Sequence, residues 1–211
     1  MAHIGAERRR AIKALLIGRL GASPMGLQDR AKFSNASQQE RAAMYPCDRY
    51  LDGLYEGWVR AIDVDVSAAV LFRWLCQLRI APYSYDLLDN LGRRSPRQLT
   101  SGLEHLAQGQ RFLVFQIRDF ERDRHISGVA LPSFRRIYGP LAITYAVQPK
   151  DDFRACRLVV KLNAGASGPL QRVRRAALAW GDLLMMHKQL STLKELAERQ
   201  MVTASLTTPQ S

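Results

Sequence analysis

WVRAIDVDVSAAVLFRWLCQLRIAPYSYDLLDNLG, residues 58–92, carries the clearest signal of secondary structure in the chain. It opens as a strand. From Trp58 to Val66, Ile62, Val64 and Val66 alternate with Ala61, Asp63 and Asp65, the period-two pattern of a strand with one buried face. Ser67 follows as the expected N-cap, its hydroxyl placed to accept from an orphan N–H of the first helical turn. Val70, Leu71, Trp74, Leu75 and Leu78 then recur at three- and four-residue steps, which gathers them on one helical face. Trp74, Leu75 and Cys76 read as core of that helix. Pro82 ends it, because the residue before a proline is pushed out of the helical region. The loop beyond carries Tyr83, Tyr85, Asp86, Asp89, Asn90 and Arg93, a dense run of hydroxyl, carboxylate and amide groups.

Downstream, Asn90 to Gln110 reads as a polar connection, with a short helix predicted over Leu103 to Ala107. A strand is expected over Phe112 to Phe120, a charged turn over Glu121 to Arg124, and a strand over His125 to Leu131. Gly139 and Pro140 punctuate the chain before a strand from Leu141 to Val147, with Ile143, Tyr145 and Val147 on one face. Asp151 and Asp152 mark a turn, and Ala155 to Leu162 supplies a last strand. Gly168 and Pro169 then open a long helix running to about Gln200. On it Val173, Ala176, Ala177, Trp180, Leu183, Leu184 and His187 share one side, and Leu178, Met185 and Leu196 the other. Strand, helix, loop, antiparallel strands and one long helix define an α+β fold in which a curved antiparallel sheet wraps the C-terminal helix.

The 211 residues suffice for one domain plus an extension. Hydrophobic content of 47% and charged content of 24% are those of a soluble globular chain. Cys47, Cys76 and Cys156 are odd in number and form no CxxC pair. That argues against a disulfide framework or zinc site and for a reducing, cytoplasmic setting; no metal or cofactor is expected. A net charge of +12 raises the question of an anionic partner. The basic residues are spread along the chain, so nucleic acid is not the expected one. Residues 1–44 read as a basic extension, with Gly21 to Arg41 polar and loop-like. Within it, Glu7 to Leu20 would form a helix with Ile12, Leu15, Leu16 and Leu20 on one side, surrounded by Arg8, Arg9, Arg10, Lys13 and Arg19. This pattern suits a helix lying on an anionic membrane surface; the plainer alternative is a start at Met25 or Met44. The domain proper is expected over residues 45–202 and a disordered tail over 203–211. Oligomeric state is not legible.

Several of these stretches together resemble one superfamily. YPCDRYL (Tyr45 to Leu51), RAIDVDVSAAVLFRWLCQL (Arg60 to Leu78), YSYDLLDNLG (Tyr83 to Gly92), GQRF (Gly109 to Phe112), GPLAITYAV (Gly139 to Val147) and WGDLLMMHKQLSTLKELAE (Trp180 to Glu198) are similar to the START-like, or SRPBCC, superfamily. The resemblance is to its bacterial polyketide cyclase/dehydrase-like group. It spans Tyr45 to Glu198; Ala68 and Ala69 stand where such proteins commonly carry a proline at helix entry. It implies a helix-grip fold with a deep cavity between sheet and long helix, holding a hydrophobic or amphipathic small molecule, lipid- or polyketide-like. Many members have no catalytic activity, so fold alone does not fix function.

In such a fold the cavity would be lined by Tyr83, Tyr85, Phe115, Tyr145, Trp180, Leu184 and His187, an apolar set with few polar groups. His187 is placed inward by its spacing from Trp180 and Leu183, as a general acid or base or as a core histidine with one hydrogen bond. Asp86 and Asp89 lie three apart. They would form an acid–base pair for a cyclase or dehydrase, or cap the turn and pair with Arg93 and Arg94. The first reading is therefore a binding domain without catalysis, and the second an enzyme using Asp86, Asp89 and His187.

Overall fold

Seven strands form one sheet in the computed structural model, which describes residues 33–84, 94–150, 153–165 and 185–203. In chain order the elements are β1 (Phe33–Ser34), α1 (Gln38–Ala42), a 3-10 helix (Pro46–Arg49), β2 (Tyr55–Val64), α2 (Ala68–Cys76) and a second 3-10 helix (Gln77–Arg79). Then follow β3 (Arg111–Phe112), β4 (Phe115–Glu121), β5 (His125–Ala130), α3 (Pro132–Tyr138), β6 (Leu141–Pro149) and β7 (Cys156–Gly165). The final helix, α4, is described over residues 185–203. The strand order is β1-β2-β7-β6-β5-β4-β3. The β1–β2 pair is parallel and the remaining pairs are antiparallel.

Side-chain alternation builds a core on each face of this sheet. On the concave side, Trp58, Val64, Ile143, Tyr145, Val147, Leu158, Val160 and Leu162 join Leu71, Trp74 and Leu75 of α2 and Met186, Leu190, Leu193, Leu196 and Ala197 of α4. A curved antiparallel sheet packed on the C-terminal helix is the helix-grip arrangement. On the convex side, Val59, Ala61, Ala142 and Val159 are covered by Ala36, Tyr45 and Cys47.

That second core extends the domain toward the N-terminus. The loop-like reading of Gly21 to Arg41 is corrected where β1 (Phe33–Ser34) and α1 (Gln38–Ala42) stand. Ser37 and Glu40 close a capping box on α1, with Glu40 N donating to Ser37 Oγ (3.1 Å) and Ser37 N to Glu40 Oε2 (2.6 Å). Glu40 also pairs with the Arg157 guanidinium of β7, which donates to Asp63 Oδ1 (3.1 Å) and to Asn35 O (2.7 Å) as well. Further along, Asp48 is enclosed: Lys161 Nζ lies 2.9 Å from its Oδ1, Asn163 Nδ2 donates to it at 2.7 Å, and Tyr45 N donates to Oδ2 at 2.6 Å. Burial pushes the neighbouring Cys47 thiol up to about 12, so it stays protonated and unreactive at neutral pH.

Hydrogen bonding to Arg157 holds Glu40 below its ordinary 4.5. Asp63 is lowered too, hydrogen bonds from Arg157 and Lys150 outweighing its burial. A carboxylate with a depressed folded pKa contributes stability that is complete above its unfolded value and is lost as pH falls through the folded one. Thermal melting followed downward from neutral pH is expected to hold steady to about pH 5 and then fall. Glu40→Gln should flatten that fall, and an equally steep one would place the acid sensitivity elsewhere.

Other differences from the sequence reading are local. Ser67 occupies the N-cap with extended backbone, but its hydroxyl makes no cap bond; its carbonyl accepts from Leu71 N instead (3.2 Å). The short helix expected over Leu103 to Ala107 is absent: Leu103 and Glu104 close a turn and 105–107 are irregular. The strand expected over Phe112 to Phe120 divides into β3 and β4 at Leu113, whose φ of 51° breaks the extended run. The segment between β5 and β6 is a helix, α3, opened by Pro132 and closed by Gly139 at φ 82°. The expected helix at Glu7 to Leu20 lies outside the described residues, as do residues 204–211 of the expected tail.

Candidate ligand site

Where α2 hands over to the loop, Pro82 and Tyr83 are fixed to both the sheet and α4. Tyr145 of β6 donates its hydroxyl to Gln189 Oε1 (2.7 Å), and Gln189 Nε2 donates to Pro82 O (2.5 Å). A strand, a helix and a loop are thus joined through one buried amide. Tyr83 follows with φ 54°, sparsely populated for a non-glycine residue. Its ring is buried edge-on against Trp74, centroids 6.1 Å apart. Its backbone N–H donates to Ser95 Oγ (3.3 Å). Farther out, the Gln77 side chain holds Thr100 with two bonds, Nε2 to Thr100 O (3.1 Å) and Thr100 N to Oε1 (3.0 Å). The returning segment Arg94 to Thr100 is therefore anchored at both ends.

Between this segment and α4 lies a cleft of about 420 Å³, within the range of small-molecule sites. Tyr83, Ser84, Arg94, Ser95 and Arg97 form one wall; Lys188, Thr192, Glu195 and Leu196 form the other. The helical residues recur at steps of four, three and one, so one stripe of α4 supplies that wall. Thr192 donates its hydroxyl to Lys188 O (2.8 Å), leaving lone pairs toward the cleft. Buried Tyr83 and Leu196 give an apolar floor, and exposed Arg94, Arg97 and Lys188 a cationic rim that, among the described lining residues, faces one carboxylate, that of Glu195. Among the described residues none of these three cations is ion-paired. The arrangement can seat an apolar group and neutralise an acidic one.

The expected lining residues are distributed differently. Tyr83 lines the cleft. Phe115 and Tyr145 sit in the packed core, 5% and 0% exposed, and Tyr145 is linked through Gln189 to Pro82. Tyr85, Asp86, Asp89, Trp180 and Leu184 lie outside the described residues. His187 is exposed, which corrects the expectation that its imidazole faces inward. The buried stripe runs Met186, Gln189, Leu190, Leu193, Leu196 and Ala197, and this phase turns 187 and 188 to solvent. An apolar count passes over Gln189, the residue that fixes the phase. Arg97, Ser95, Lys188, Thr192 and Glu195 were not singled out by sequence; the one signal was polar residues recurring at helical spacing beside an apolar stripe. Among the described residues no cluster of three or more His, Cys, Asp or Glu is placed to hold a metal ion, and no helix is long and apolar enough to cross a membrane.

Neither a family model nor a curated protein matches the sequence. Solved structures do resemble it in shape. A Mesorhizobium loti protein is 15% identical, covering 68% of this chain and 98% of its own, with a TM-score of 0.42. Thalictrum flavum norcoclaurine synthase, solved with a transition-state analogue, is 12% identical, covering 72% and 99%, with a TM-score of 0.43. The di-domain ARO/CYC StfQ from the steffimycin biosynthetic pathway is 13% identical, covering 70% of this chain and 52% of its own, with a TM-score of 0.42. These are likenesses of fold alone and carry no residue roles with them.

Proposed function

We propose that the protein binds an amphipathic small molecule bearing an acidic group, with that group at the Arg94–Arg97–Lys188 rim and its apolar part directed inward past Tyr83 and Leu196. The observation that supports this is the cleft itself, in which cations without an ion-pair partner among the described residues border an apolar floor built from buried side chains. A reaction at the same site would need Asp86, Asp89 and His187 to converge on one point. His187 is exposed and so lends that constellation no support, and the reading proposed is of binding.

The test is calorimetric titration with two probes of equal chain length, dodecyl phosphate and the uncharged dodecyl maltoside. The phosphate should bind more tightly. Arg97→Ala with Lys188→Ala should weaken it about tenfold or more, because each charge-assisted hydrogen bond removed is worth about 1 kcal/mol or more. Equal binding of both probes, or a double variant that binds the phosphate as the natural protein does, would contradict the proposal.

A further inference from the structure

Helix α3 is unusual among the described helices because none of its residues is buried. It is fastened to the domain through Phe134 and Tyr138, one helical turn apart, whose rings lie 5.0 Å apart and pack against the concave core. What it presents outward is Arg135, Arg136 and Ile137, all exposed, Ile137 to 49%. An isoleucine half in solvent keeps apolar surface whose burial by a partner would be favourable.

The surroundings of α3 continue the same chemistry. Its C-terminal end runs through Pro140, whose carbonyl accepts from Gly165 N (2.9 Å), and Gly165 pairs with Tyr55. Tyr55 and Leu54 are exposed at that end of the sheet, Leu54 to 85%. At the N-terminal end of α3, Leu131 N donates to Val114 O (2.9 Å), beside exposed Arg111. No aspartate or glutamate occurs from Gly128 to Lys150, nor from His105 to Arg118. Asp52 and Glu56 flank Leu54 and Tyr55, so the surface free of carboxylates is that of α3 with the segment around Arg111.

We infer that α3 is a docking element for the surface of an anionic lipid bilayer, with Ile137 inserted among the headgroups and Arg135 and Arg136 against lipid phosphates. Charge complementarity argues for this occupant: apolar side chains flanked by arginine match an interface with negative charge above hydrocarbon. A protein partner would have to supply both an apolar pocket and its own carboxylates. The inference rests on α3 alone and stands whether or not the cleft binds a ligand.

Sedimentation of the full-length protein with phosphatidylcholine vesicles, with and without phosphatidylserine, tests it. Binding should require phosphatidylserine and weaken with salt. Arg135→Glu with Arg136→Glu should reduce it about tenfold or more. Ile137→Asp should reduce it too, and Ile137→Trp should strengthen it, giving an opposite change that misfolding cannot imitate. No binding by the natural protein, or binding unchanged in the arginine variant, would overturn the inference, the latter by assigning the interaction to another segment. Loss with the arginine variant but not with Ile137→Asp would overturn insertion and point to an anionic polymer.

Discussion

Asp48→Ala is expected to destabilise the protein by about 3–5 kcal/mol, the cost of breaking a buried ion pair from one side. The Asp48 side chain has no exposed surface, and Lys161 retains only 9%. Removing the carboxylate strands the Lys161 ammonium, although Ala43 O still accepts from it at 3.2 Å. It also takes the acceptor from Asn163 Nδ2 and from Tyr45 N. Because these bonds tie residues 43–48 to β7, the convex core around Cys47 and Val159 should loosen with them. Urea unfolding measures the loss, and adding Lys161→Met to Asp48→Ala should recover part of it by removing the stranded charge. A loss under about 1 kcal/mol, the usual worth of a solvated pair, would show that water reaches this site.

Gly128→Ala is expected to cost about 3 kcal/mol or more, since overpacking against backbone has no cheap relief. A Cβ at Gly128 would lie 2.3 Å from Gln116 O and 2.7 Å from Phe112 Cε1. The register of β4 against β5 shifts between Ile117 and Asp119, so the close approach sits beside an irregular part of the ladder. Gly57→Ala is the matched control: its Cβ would meet only the side chains of Asn163 and Lys161, at 3.2 and 3.3 Å. Denaturant midpoints should fall far more for Gly128→Ala, and equal falls would mean that the strands separate readily.

What could be read from sequence depended on whether polarity and burial agreed. In β2 and α2 they do: Trp58, Val64, Leu71, Trp74 and Leu75 are apolar and buried, so period and packing coincide. On β7, Lys161 and Asn163 alternate with apolar residues and look solvated, yet the N-terminal segment covers them. No periodicity reveals a cover supplied from more than a hundred residues away. Its local signature was present, because Ser37 and Glu40 have capping-box spacing; so was the Pro132-to-Gly139 punctuation of α3. At the candidate site, Tyr83 was legible from its place after Pro82. The rim from Arg97 and Lys188 was not, because two solvated-looking cations 91 positions apart meet only through the fold.

Native mass spectrometry of the purified protein beside its Arg97→Ala/Lys188→Ala variant, each with equimolar dodecyl phosphate, tests most directly whether the cleft is a ligand site. A one-to-one adduct is expected on the natural protein and is largely lost from the variant, both keeping the same narrow charge-state envelope of a folded chain. Equal adduct on the two proteins would contradict it.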